Sequence, residues 1–133
     1  NLNQELIQHG SSKFWVFFNY RMIDHNLIPL IVANCNYAIV EYDYKYCRYR
    51  SPGKHIEMEG ECNCHTGRRG KIVAMFLASS VKTWWMSQGQ RDEQAVHFPF
   101  LNNPKDQVLS SVFSVTGNEV GFPYTVQEDE KTK

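Results

Sequence analysis

Apolar residues along this chain recur at every second position more often than at every third or fourth, and that period is the mark of strands. The run "KFWVFFNYRMI" is dense in aromatic and branched residues and predicts a first strand. The run "CNYAIVEYDYKYCRYR" predicts the longest strand, with Ala38, Val40, Tyr42, Tyr44 and Tyr46 on one face and Glu41, Asp43, Lys45 and Cys47 on the other. After a turn at "SPGK", "HIEMEGECNC" alternates again, with Ile56, Met58, Cys62 and Cys64 inward and His55, Glu57, Glu59 and Glu61 outward. An odd-length hairpin loop centred on Pro52 brings the two apolar faces together. Tyr46 then meets Met58, Tyr42 meets Cys62 and Lys45 meets Glu59, whereas a one-residue slip would turn every side chain over.

Elsewhere the punctuation is mixed. "NLNQELIQHG" places Leu2, Leu6 and Ile7 a helical turn apart and stops at Gly10, which predicts a short helix. "DHNLIPLIVAN" reads as a loop into an irregular apolar run, with Pro29 pointing to an edge. "KIVAMFLASS" is almost continuously apolar and predicts a central strand covered on both sides. "SVKTWWMSQGQRDEQ" is open between a strand extension and a short helix stopping at Gly89. "AVHFPF", "VLSSVFSV" and "FPYTV" give further short strands between the turns "LNNPKD" and "TGNEVG". The sum is a mainly β fold, an antiparallel sandwich or barrel of about seven to eight strands with a short N-terminal helix. Residues 1–126 form one β-rich domain, and the charged "QEDEKTK" at 127–133 a disordered tail.

Composition narrows the function classes. With 42% hydrophobic and 21% charged residues the chain has the make-up of a folded domain. Fourteen basic residues balance fourteen acidic ones, so the overall excess that phosphate contacts usually require is missing, and there is no strong nucleic-acid signature. No apolar run reaches the roughly 18–20 residues of a membrane span. Four cysteines, Cys35, Cys47, Cys62 and Cys64, make an even number in a small chain. They favour two disulfides and a secreted, extracellular protein over a zinc site, because the close pair is Cys-x-Cys rather than Cys-x2–4-Cys. No metal and no cofactor are expected. Cys47 falls on the face opposite Cys62 and Cys64, so a direct bridge across the hairpin is disfavoured, and the pairing stays open.

Three functional readings remain. The first is a secreted, disulfide-stabilised binding monomer, an effector or immune-modulating factor that takes a protein, glycan or small-molecule ligand and is not an enzyme. Trp84 and Trp85, Tyr44 in its tyrosine stripe, and Arg69 in the Gly-rich bend "HTGRRGK" are its candidate contacts. The second is a ribonuclease-like hydrolase, in which His55, Glu57 and His97 supply acid and base and Arg68 steadies phosphorane charge. The third is a metal-binding jelly roll using His55, Glu57 and a later histidine. No family is assigned. A cupin would need a second histidine where Glu57 stands, and a lipocalin would need glycine where Lys13 precedes Trp15.

Overall fold

Helix punctuation, rather than strand alternation, governs the middle of this chain. Ser51 caps a helix by accepting from the Lys54 N–H at 3.2 Å, Pro52 supplies a ready-set first residue, and Gly60 closes it at φ +89°. The computed structural model describes residues 2–101 and 106–109. Within them it gives helix α1 (Gln4–His9), strand β1 (Phe14–Phe17), α2 (Ile28–Asn34), β2 (Asn36–Glu41), α3 (Pro52–Glu59), α4 (Arg68–Ser79), β3 (Lys82–Trp85), α5 (Gln88–His97) and β4 (Asp106–Val108). Short 3-10 turns lie at Cys64–Thr66 and Pro99–Leu101. Among the described residues no helix is long and apolar enough to cross a membrane.

The architecture is therefore α/β, and the expected antiparallel sandwich or barrel is wrong. All three strand pairings are parallel, in the order β1-β2-β3-β4. Parallel neighbours need a crossover between them, and helices supply each one. The expected hairpin is absent. "HIEMEGECNC" is α3 and the loop after it, Ile56 and Met58 are exposed, and His55 is buried. Lys45 meets Glu41 and Asp43 rather than Glu59. "KIVAMFLASS" lies in α4, whose buried residues Val73, Phe76 and Leu77 follow the helical period. Pro29 sits in the first turn of α2, where its missing N–H has no helical partner to lose. "SVKTWWMSQGQRDEQ" divides into β3 and α5, with Gly89 near the start of the helix, and "AVHFPF" is the end of α5 and the turn beyond. The short α1 ending at Gly10 agrees with the sequence reading, whereas the two expected strands are cut short: β1 covers only 14–17 of the run 13–23, and β2 only 36–41 of the run 35–50, with 42–50 folded as a loop in place of the expected tyrosine face. "FPYTV", most of "VLSSVFSV" and the 127–133 tail lie outside the described residues.

The core joins Ile7, Ile28, Ile31, Tyr37, Ile39, Phe76, Leu77, Trp85 and Leu101. Tyr37 stacks on Phe76 with ring centroids 4.7 Å apart and donates its hydroxyl proton to the Phe76 carbonyl at 2.6 Å. Strand order and contacts among α1, α2 and α4 put these helices together against the sheet. On β1 the alternation is visible: Trp15 and Phe17 are part-buried, whereas Phe14 and Val16 are exposed. In such sheets the ends of the strands and the loops following them are where ligand-handling groups collect.

Candidate metal centre

The loop leaving β2 folds back on itself. The Tyr44 N–H donates to the Arg50 carbonyl at 3.3 Å, Cys47 to Tyr44 at 3.0 Å and Arg50 to Cys47 at 2.9 Å. Arg50 takes a left-handed φ of 60° to complete this bend, an uncommon conformation for a residue with a side chain. The bend points Cys47 inward, α3 carries His55 beside it, and the Gly60 turn returns the chain so that Cys62 and Cys64 close the group. Four ligand atoms, one from each residue, all lie within 4.8 Å of one another.

The individual separations are informative. Cys47 Sγ lies 3.6 Å from His55 Nδ1, Cys64 Sγ lies 3.5 Å from the same nitrogen, and Cys62 Sγ lies 3.7 Å from Cys47 Sγ. A tetrahedral zinc ion with Zn–S near 2.3 Å and Zn–N near 2.0–2.1 Å puts two sulfurs about 3.8 Å apart and sulfur and nitrogen about 3.6 Å apart. A disulfide needs about 2.0 Å. The expected disulfides are thus replaced by free thiols, three of which form with His55 a Cys3His group that could hold a metal ion. Cys35 caps α2 away from this group. Burial, with the neighbouring Cys47 sulfur also contributing, pushes the Cys62 thiol up to about 11. A divalent cation among the sulfurs reverses that preference, since a coordinating thiol loses its proton.

The outer partners suit a ligating histidine. With Nδ1 turned to the sulfurs, His55 Nε2 faces Glu59 Oε2 at 3.6 Å, one turn along α3. Arg48 pairs with Glu59, and Tyr49 stacks on the His55 ring with centroids 4.7 Å apart. The Tyr49 hydroxyl, then Arg48 and His55, hold the Glu59 carboxyl below its usual range. An ion held by all four residues would have no open position, the arrangement of a structural rather than a catalytic zinc.

Gly70 fastens α4 to this knuckle. A Cβ there would stand 2.4 Å from both the Cys64 and His65 carbonyl oxygens, and backbone cannot yield as a side-chain tip does. Gly70→Ala is expected to cost on the order of 2 kcal/mol of stability by overpacking and to weaken metal retention. Thermal melts and a chelator competition check both effects.

Beside the centre, the end of β2 carries a buried ionic group. Lys45 Nζ is 2.8 Å from both Glu41 Oε1 and Asp43 Oδ1, and the Tyr20 hydroxyl donates to Glu41 Oε2 at 2.7 Å. Arg50 Nε donates to Asp43 Oδ2 at 2.5 Å. Burial pushes Glu41 up to about 7 against the pull of Lys45.

The other sequence candidates are placed as follows. His97 stacks on His65 with centroids 3.9 Å apart, next to Cys64 in the chain. Arg68 opens α4 and shares a hollow with Cys64. Glu57 is exposed on α3, with no hydrogen bond or ion pair to His55 or His97 among the described residues. Trp85 is wholly buried in the core, while Trp84 is half-buried with Lys82 Nζ 5.5 Å over its ring. The Tyr44 hydroxyl donates to Glu93 at 2.8 Å, and Arg69 lines a cleft against Arg21. All four members of the metal set were visible in the sequence, but in other roles. The cap at Ser51–Pro52 and the stop at Gly60, which turn 52–59 into a helix, were the signal that unites them. Comparison with protein families, with curated proteins and with solved structures finds no match, so the chemistry of the site carries the functional reading.

Proposed function

We propose that this chain is a zinc-binding α/β module in which Cys47, His55, Cys62 and Cys64 hold one ion. The ion fixes the long β2–β3 crossover as a rigid binding surface. The observation that carries the reading is that two sulfur–nitrogen separations and one sulfur–sulfur separation in a four-residue group are 3.5–3.7 Å, which suits a tetrahedral ion and not disulfides. Sulfur-rich tetrahedral sites select zinc over magnesium or calcium. The ion's role is structural: it replaces a core that 18 residues of polar loop and short helix do not supply.

Elemental analysis of protein purified without a histidine tag is expected to give close to one zinc per chain. Cobalt exchange is expected to produce the intense thiolate-to-metal absorption and the visible bands of a tetrahedral site. Protein with less than a tenth of an equivalent, and no such bands after cobalt addition under reducing conditions, would overturn the reading.

A further inference from the structure

The zinc reading leaves two cations unexplained. Arg21 and Arg69 line one narrow cleft together with His25 and Lys45, over a floor of Ile28, Ile72, Val73 and Phe76. Lys45 is matched by Glu41 and Asp43, and Arg50, just outside, is matched by Asp43. Arg21 spends its N–H groups on backbone, donating to the Cys47 carbonyl at 3.3 Å and the Arg48 carbonyl at 3.0 Å. Neither Arg21 nor Arg69 has an acidic partner among the described residues. Two half-buried guanidiniums therefore share a cleft with no carboxylate in ion-pair contact with either, the nearest acidic charge, Asp43, being paired to Lys45 and Arg50.

The shape of the cleft limits the ligand. Its accessible volume is about 10 Å³, room for roughly one water or one oxygen atom, so neither a sugar nor a base enters it. On its other side Arg69 also lines an open hollow of about 190 Å³ with Arg48, Gly67, Arg68, Tyr46 and Cys64. Arg69 thus links a tight oxygen slot to a roomier basic shelf. The shelf includes Gly67 and Arg68 at the start of α4, where Gly67 provides no side-chain cap. The neutral overall charge of the chain conceals this local excess.

We infer that Arg21 and Arg69 form a phosphate-binding cleft, one phosphate oxygen entering between them and the rest of the phosphorylated ligand lying along Arg48 and Arg68. This goes beyond the zinc reading. The slot is lined by Arg21, His25, Lys45 and residues of α2 and α4, none of them a candidate metal ligand, while the shelf takes Arg48 from the loop that carries Cys47. The shared chemistry is a phosphate ester, supplied either by a free nucleotide or by a nucleic-acid strand.

The test uses the full chain with its zinc content measured for each variant. Binding is followed at low salt with three probes: inorganic phosphate, a nucleoside 5′-monophosphate and a short single-stranded oligonucleotide. At least one phosphate probe is expected to bind, with affinity falling as salt rises. Arg69→Ala is expected to weaken it at least tenfold at unchanged zinc content, whereas Lys71→Ala, an exposed lysine on the same helix, changes it less than twofold. Oligonucleotide binding well above that of the monophosphate identifies the strand as the source, and equal affinities identify the small molecule. Should Arg69→Ala fail to fold, Arg69→Gln takes its place. Failure of all three probes with zinc-loaded wild type, or equal losses in the Arg69 and Lys71 variants, would overturn the inference and leave the metal site standing. Absence of zinc with intact, Arg69-dependent phosphate binding would do the reverse.

Discussion

Cys47→Ser is expected to lose at least a hundredfold in zinc affinity and on the order of 10 °C in thermal midpoint. Cys47 is fully buried between the β2 loop and α3, so its loss removes a ligand and leaves His55 and two thiols crowded without their ion. Structural zinc in small domains contributes about 10–16 kcal/mol of binding energy coupled to folding. A loss of roughly 3 kcal/mol in net stability moves a domain of this size by about 10 °C. Cys35→Ser, outside the cluster, is expected to leave zinc content unchanged. A paired melt separates thiol coordination from disulfide bonding: a strong chelator lowers the midpoint and a reductant alone does not. The opposite pattern would show that the sulfurs are bonded to each other.

The second large effect is at the end of β2. Lys45→Met is expected to destabilise by about 3–5 kcal/mol, because it leaves Glu41, fully buried, and Asp43 without the ammonium that both accept from. The pH dependence follows from Glu41. Its folded-state value of about 7 lies above its ordinary 4.5, so between those values the folded protein holds the extra proton. Stability from this group is therefore full below about pH 4.5 and declines as pH rises through 7. Glu41→Gln removes that decline and still accepts from Tyr20. The difference in unfolding free energy between wild type and Glu41→Gln is expected to shift by roughly 3 kcal/mol in favour of the variant between pH 4.5 and 8. Denaturant melts across that range check it, and because both proteins keep the same metal ligands, acid release of zinc cancels in the difference. The penalty of Lys45→Met grows over the same interval, since Glu41 must either ionise unpaired or hold its proton against rising pH.

What the sequence made legible depended on where local signals agreed. At α1 the capping Asn3, the apolar spacing and Gly10 all indicate a helix, and β1 and β2 are rich in branched and aromatic residues. At 55–64 two signals conflicted. The alternation of Ile56 and Met58 with His55 and the glutamates imitates a strand, yet those apolar residues are exposed and pack on nothing large. The helix is held instead by its cap, its Gly60 stop and the packing of His55 against Cys47, Cys64 and Tyr49, forces that hydrophobic periodicity does not register. In α4 the buried set Val73, Phe76, Leu77 has helical spacing, but unbroken apolar neighbours on either side hide it within a strand-like run. The metal set escaped for a related reason. Its ligands come from a bend, a helix and a loop rather than one knuckle, so no Cys-x2–4-Cys pair marks it.

The strand order carries a consequence for how the chain is made. Each strand pairs with the one synthesised just before it, so every new segment leaving the ribosome finds its neighbour already in place. The crossover that carries the four candidate ligands is translated after β2 and before β3. All four ligands fall within 18 consecutive residues, so the ion can be captured by a nascent chain that does not yet contain the next strand. Metal supply would then act as a checkpoint midway through synthesis, with β3 and β4 docking onto a half that is either clamped or loose.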